Sequence, residues 1–145
     1  MELEKLALAA CKAREKSYAP YSGFTVGAAL LCGDGSVYSG CNIENAAYGP
    51  TICAERTAVF KAVSDGKRDF VGLALAGGRA DRQSEHFLTP CGVCRQVLTE
   101  FCRDDFWVLS VKNDADYIRY TLGDLLPASF RPEHMSSKVK EGGKP

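Results

Sequence analysis

Cys53-Ala54-Glu55-Arg56 and Pro90-Cys91-Gly92-Val93-Cys94 are the two stretches from which the rest of this chain is best read. Together they offer three thiolates and one carboxylate. Zinc in structural sites usually takes four protein ligands, while catalytic sites keep three and leave a position for water or substrate. No second C-x-x-C completes a set of four here; Glu55 follows Cys53 two residues on instead. A structural zinc knuckle has no need of that carboxylate. The two motifs are therefore expected to hold one Zn2+ per chain through Cys53, Cys91 and Cys94, with one coordination position open.

Cys91 and Cys94 are three apart, so on one helix their sulfurs can meet a single ion. Pro90 opens that helix, which is expected to run from Cys91 to about Phe101. A helix N-terminus carries partial positive charge and free N–H groups, and so favours thiolate over thiol. Gly92 is read as keeping the backbone between the sulfurs uncrowded. Cys53 and Glu55 would diverge in mid-helix and converge only in a first turn. Their spacing predicts a helix that starts within a residue or two of Cys53. Three thiolates on Zn2+ leave a net negative charge that weakens the acidification of bound water. A guanidinium donating to the sulfurs would offset this. Of the neighbours Arg56 and Arg95, that role is assigned to Arg56, with a surface ion pair as the alternative.

Working outward, residues 2–17 place Leu3, Leu6, Ala7, Ala10 and Cys11 at helical spacing. Pro20 and Gly23 break the period. Residues 24–31 form a continuous apolar run, read as a strand covered on both faces. Asp34-Gly35 turns it into a second strand over 37–43. A loop over 44–51 leads into the Cys53 helix, which stops at Asp65-Gly66. Residues 70–76 read as a strand, 106–111 and 117–121 as a closing pair about Asn113-Asp114, and 122–126 as one helical turn ended by Pro127. This alternation implies an α/β fold, a three-layer α/β/α sandwich with a mixed, roughly five-stranded sheet. Both cysteine motifs then open helices that follow strands, where such sheets place their ligands. Residues 1–132 read as one domain without repeat or linker, and 133–145 as a polar tail.

The 145 residues suffice for one hydrophobic core. Eighteen basic against eighteen acidic residues leave no net charge, so no electrostatic footprint for nucleic acid is present. No apolar run approaches the roughly 20 residues of a bilayer span, and the start Glu2-Leu3-Glu4-Lys5 is unlike a secretory signal. Neither a nucleic acid nor a membrane is expected as partner. Seven cysteines, an odd number, argue against a disulfide framework and for reduced thiols in the cytoplasm. Cys11, Cys32, Cys41 and Cys102 are read as small buried hydrophobes. His86 and His134 stand alone in polar sequence and are expected to be exposed.

With these residues in view, the chain resembles the small homotetrameric zinc-dependent cytidine deaminases. The likeness runs from Tyr18-Ala19-Pro20-Tyr21-Ser22-Gly23-Phe24 through Gly40-Cys41-Asn42-Ile43-Glu44-Asn45-Ala46 and both cysteine motifs to Leu125-Leu126-Pro127-Ala128-Ser129-Phe130. Zinc deaminases combine three Cys/His ligands, a P-C-x-x-C and a glutamate that moves protons without binding the metal. The resemblance implies that Glu55 is that proton shuttle. It implies that Asn42 and Glu44 bind the ribose hydroxyls, that Phe24 flanks the pyrimidine and that the Ala54 N–H donates to the O2 of the base. It also implies that Phe130 enters a neighbouring subunit's site in a homotetramer. The activity implied is hydrolytic deamination of cytidine and deoxycytidine to uridine and deoxyuridine, with release of ammonia, in pyrimidine salvage.

Read from the residues alone, Asn42 and Glu44 alternate at a strand end and face one side. That suits a sugar contact or a strand-end cap. Tyr48 either helps close the pocket or covers its own loop, and Phe130 either reaches a neighbour or packs on its own subunit. The competing activities are deamination of another aminopyrimidine nucleoside such as blasticidin S, and polynucleotide editing, which zero net charge and the lack of stacking stretches disfavour. A zinc-stabilised interaction module without catalysis is the remaining alternative, against which Glu55, Asn42 and Glu44 together speak.

Overall fold

Side chains are buried on both faces of the central strands, and that alternation sets the layers. The computed structural model describes residues 2–113 and 116–135. Along β1 (Phe24–Cys32), Ala28, Leu30 and Cys32 turn to one face and Ala29 and Leu31 to the other. After β2 (Val37–Cys41), β3 (Phe70–Arg79) repeats the pattern with Leu73 and Leu75 against Ala74 and Ala76. One face receives α1 (Leu3–Ala13) through Leu6, Ala7 and Ala10. The other receives α2 (Ala54–Ser64) and α3 (Gly92–Phe101) through Ala58, Val59, Ala62 and Leu98. Each buried leucine stabilises the fold by about 1.5–3 kcal/mol. The three-layer α/β/α sandwich expected from the sequence is the one observed.

Two further strands, β4 (Trp107–Asn113) and β5 (Asp116–Thr121), and one turn of helix, α4 (Leu122–Leu125), complete the element order. The five strands lie in the order β2-β1-β3-β4-β5. Every adjacent pair is antiparallel except β3 and β4, which run parallel with α3 between them in the chain. Ligand-bearing loops therefore gather where α2 and α3 begin.

Local sequence explains most boundaries. At the β1–β2 turn Gly35 adopts φ +90°, a conformation open to glycine, and Asp34 Oδ1 accepts the backbone N–H and the hydroxyl of Ser36. β3 runs past residue 76 to Arg79 because Gly77 and Gly78 still pair with Val26 and Thr25. β2 ends at Cys41 rather than 43, yet the extended chain continues, with Ile43 bridging Tyr18 and Ile52. Beyond α1 the helix tightens into a 3₁₀ turn, Arg14–Lys16, and Pro132–Met135 forms another where the polar tail was expected to begin. The expected turn residue Asp114 and residues 136–145 lie outside the described residues.

Two glycines permit contacts that no side chain would. A Cβ on Gly27 would lie 2.2 Å from the Ala10 carbonyl oxygen, so glycine there lets α1 settle on β1. A Cβ on Gly40 would lie 2.5 Å from Ala58 N and 2.6 Å from the Ala54 carbonyl oxygen. That approach seats α2, and with it the first cysteine motif.

Candidate active site

Cys53 and Cys91 are the N-caps of α2 and α3, both with extended backbones, and Cys94 lies in the first turn of α3. Because α2 starts at Ala54, the pair Cys53 and Glu55 sits in a first turn, as its spacing requires. The three Sγ atoms lie within 4.8 Å of one another, with Cys53 and Cys91 4.0 Å apart. Tetrahedral zinc at about 2.3 Å from each sulfur would set them about 3.8 Å apart, so the cluster needs only a slight contraction. No disulfide joins any of the seven cysteines.

The charge state of the cluster agrees with its use as a metal site. Cys53 ionises early, near pH 5, because the Cys94 thiol donates to it and Arg56 adds a guanidinium, against the opposing effect of burial. Cys94 is pushed well above the usual thiol range, first by that same bond to Cys53 and then by burial. A cation bound by these sulfurs would take the place of the thiol proton. Arg56 Nη2 donates to Cys53 Sγ at 3.4 Å, and this bond raises the pKa of the guanidinium further. Its Nε is buried without a partner among the described residues. The Arg95 guanidinium donates to Pro90, Thr89 and Leu125. Gly92 differs from its sequence reading, since a Cβ there would meet nothing within 4 Å.

Glu55 is 4% exposed, and burial pushes its carboxyl up to about 7, with the Cys53 charge adding in the same direction. It lies beside the sulfurs, close enough that its charge raises Cys94. Ala54, buried at the first position of α2, has a backbone N–H with no acceptor within its helix.

Asn42 and Glu44 face one side, toward residues 21–26. Asn42 Oδ1 accepts the Val26 N–H at 2.8 Å, and its Nδ2 donates to the Phe24 carbonyl at 2.8 Å. Glu44 Oε1 accepts the N–H groups of Tyr21 and Ser22, and Oε2 accepts the Ser22 hydroxyl at 2.5 Å. Those bonds, that from the Ser22 hydroxyl first, hold its carboxyl below the usual range. Both residues therefore cap the strand end, and Glu44 keeps lone pairs for further donors. Ser22 was not singled out from sequence, where a loop serine carries no signal. Phe24 is half-buried at the start of β1.

Tyr48 is 90% exposed at the tip of its loop, so within its own chain it neither closes a pocket nor covers that loop. Phe130 is 58% exposed, its ring 5.6 Å from that of His134. His86 and His134 are exposed as expected, while Cys32 and Cys102 are buried and Cys11 and Cys41 only half-buried. No helix among the described residues is long and apolar enough to cross a membrane.

Three thiols that gather at two helix N-termini, with a buried carboxyl group beside them, define a class of zinc-dependent hydrolase. The profile of the cytidine and deoxycytidylate deaminase zinc-binding region matches residues 1–110. This chain belongs to that family and is a hydrolytic deaminase. It is 50% identical to a cytidine deaminase of Sporosarcina psychrophila over 97% of its length and 100% of the relative's. Similarity to a blasticidin-S deaminase of Bacillus cereus is lower, 29% over 72% of this chain and 76% of that one. Among solved structures, a cytidine deaminase from Burkholderia pseudomallei superposes with a TM-score of 0.82 and 45% identity, covering 90% of this chain and 100% of that one.

Proposed function

We propose that the chain deaminates cytidine and deoxycytidine, as a cytoplasmic homotetramer serving pyrimidine salvage. The observation that carries this reading is the triad of sulfurs beside a buried carboxyl group whose pKa burial pushes up to about 7. A zinc ion held by Cys53, Cys91 and Cys94 supplies a Lewis-acidic position that acidifies water. Glu55 takes the proton of the attacking water and delivers it to N3 as the C4–O bond forms. It then carries the second proton to the exocyclic amine. The C4–N bond breaks, ammonia leaves, and uridine or deoxyuridine remains. A carboxyl group with a pKa near the working pH serves both as acceptor and as donor.

The Ala54 N–H donates to O2 of the base, and Phe24 flanks the ring. Glu44 accepts the sugar hydroxyls with the lone pairs that Ser22 leaves it, and Asn42 holds β1 and the sugar site in register. Arg56 draws charge from Cys53 and so keeps the metal acidic. Tyr48 and Phe130 serve the sites of neighbouring subunits.

Loss of cytidine's ultraviolet absorbance on mixing with the purified protein, with zinc assayed on the same sample, tests this reading. Conversion with about one zinc per chain is expected. Zinc with conversion of blasticidin S but not cytidine would overturn the substrate. Zinc with neither would overturn catalysis and leave a zinc-stabilised module.

A further inference from the structure

Among the three cysteines, Cys91 is the one whose side chain is exposed. Cys94 is fully buried in α3 and Cys53 is half-buried, while Cys91 is exposed on an extended backbone of φ −68° and ψ 168°. The direction of its sulfur depends on the backbone of residues 89–91. The buried ring of Pro90 and the Arg95 N–H on the Cys91 carbonyl at 3.0 Å hold part of that backbone, and the Arg95 side chain holds the rest. Arg95 donates through Nε to the Pro90 carbonyl at 2.6 Å and through Nη2 to Thr89 Oγ1 at 3.0 Å. Its third nitrogen, Nη1, donates to the Leu125 carbonyl at 2.6 Å.

From Leu125 the chain leads to Phe130, whose carbonyl accepts from Gln96 Nε2 at 2.9 Å. On the way it turns at Ala128, φ +53°, a conformation that residues with a Cβ seldom adopt. Arg131 then closes the segment onto the carbonyls of Thr99 and Cys102 and onto Asp104. One helix thus carries two metal ligands in its first turn and the Phe130 segment along its side.

We propose that Arg95 is a positioning residue of the metal site. It fixes the turn that aims Cys91 at the zinc and locks that turn to the segment bearing Phe130. The inference rests on the zinc site proposed above. A planar guanidinium with five donors in a fixed fork serves three separate acceptors, whereas the ammonium of lysine is a point charge. Without Arg95 two backbone carbonyls lose a charged donor, and the Cys91 backbone is released. Partners that orient metal ligands typically change metal affinity by about 10–100-fold.

The test compares wild type with Arg95→Gln, Arg95→Lys and Arg131→Gln. It reads zinc affinity by competition with a chromophoric chelator, and thiolate-to-metal charge-transfer absorbance in the Co2+-substituted protein. Arg95→Gln is expected to bind zinc about ten-fold or more weakly and to lose charge-transfer intensity as Cys91 detaches. Arg95→Lys falls between. Arg131→Gln loosens only the far end of the segment, so it keeps zinc affinity and spectrum while KM for cytidine rises. Wild-type affinity and spectrum in both Arg95 variants would overturn the inference and leave the zinc site standing. An equal zinc loss in Arg131→Gln would make the effect a general loosening and overturn it too. No metal uptake by wild type would overturn the zinc site itself, and the inference with it. Should Arg95→Gln fail to fold, Arg95→Lys, which retains charge and most of the bulk, carries the comparison.

Discussion

A buried carboxyl group works against the stability of the chain that holds it. Glu55 has its pKa pushed up to about 7 from a usual 4.5, mainly by burial, so it binds a proton more tightly folded than unfolded. Between those two values the folded state holds more protons than the unfolded one, and stability falls as pH rises through the window. Above pH 7 the loss is complete, on the order of 3 kcal/mol from the size of the shift. Metal-free Glu55→Gln is therefore expected to melt well above metal-free wild type at pH 8, with the gap closing toward pH 4.5. A gap that does not change with pH would show the carboxyl group to be solvated. The same substitution should remove turnover by orders of magnitude while zinc stays bound; loss of zinc instead would make Glu55 a ligand.

Arg56 belongs to the same scale. Its bond to Cys53 Sγ, at 3.4 Å, predicts that Arg56→Gln lowers turnover or zinc retention by about 10–100-fold. Steady-state kinetics and metal analysis check this, and unchanged values for both would reduce Arg56 to a helix-surface cation. The sulfurs, Glu55 and Arg56 were legible in the sequence because they are near neighbours in two short motifs. Arg95 was legible only as a cation beside a ligand. Its acceptors Thr89 and Pro90 are close in sequence, but the Leu125 carbonyl is one that tertiary structure alone brings within reach.

At the scale of elements, α2 is placed by a contact that hydrophobic patterning does not reveal. Strand and helix identities followed from periodicity, and the turn at Asp34-Gly35 from its residues. The parallel pairing of β3 with β4 did not follow, because which distant strands become neighbours is decided by the packing of the whole sheet. Nor did the role of Gly40, which reads as an ordinary strand glycine until α2 is laid against it. Gly40→Ala drives a methyl group into Ala58 N and the Ala54 carbonyl, both backbone atoms that cannot rotate away. The expected cost is about 1–3 kcal/mol, as for overpacked cores. Because the displaced helix carries Cys53 and Glu55, turnover should fall as well. Gly92→Ala is the control: its Cβ meets nothing within 4 Å, so thermal unfolding should change little. Equal melting shifts in the two variants would refute this account of how α2 is seated.

On the scale of the whole molecule, the site in one chain is open to solvent at Cys91. The sulfurs and Glu55 lie at two helix N-termini, with Cys91 exposed, while Tyr21, Tyr48 and Phe130 present their rings to solvent. Large exposed apolar groups mark interaction surfaces. Phe130 makes the case most sharply, because Gln96 and Arg131 pin the backbone about it while its ring remains 58% exposed. A pinned backbone and a largely exposed ring together suit an anchor that enters another surface. Sedimentation is accordingly expected to show a homotetramer. Phe130→Ala should cost a separated chain little stability, since the ring buries little of itself there. In the assembled enzyme it should raise KM for cytidine about ten-fold or more, given that a buried aromatic contact contributes roughly 1–3 kcal/mol. An active monomer, or a wild-type KM in Phe130→Ala, would mean that the ring serves only its own chain and that the site closes by other means.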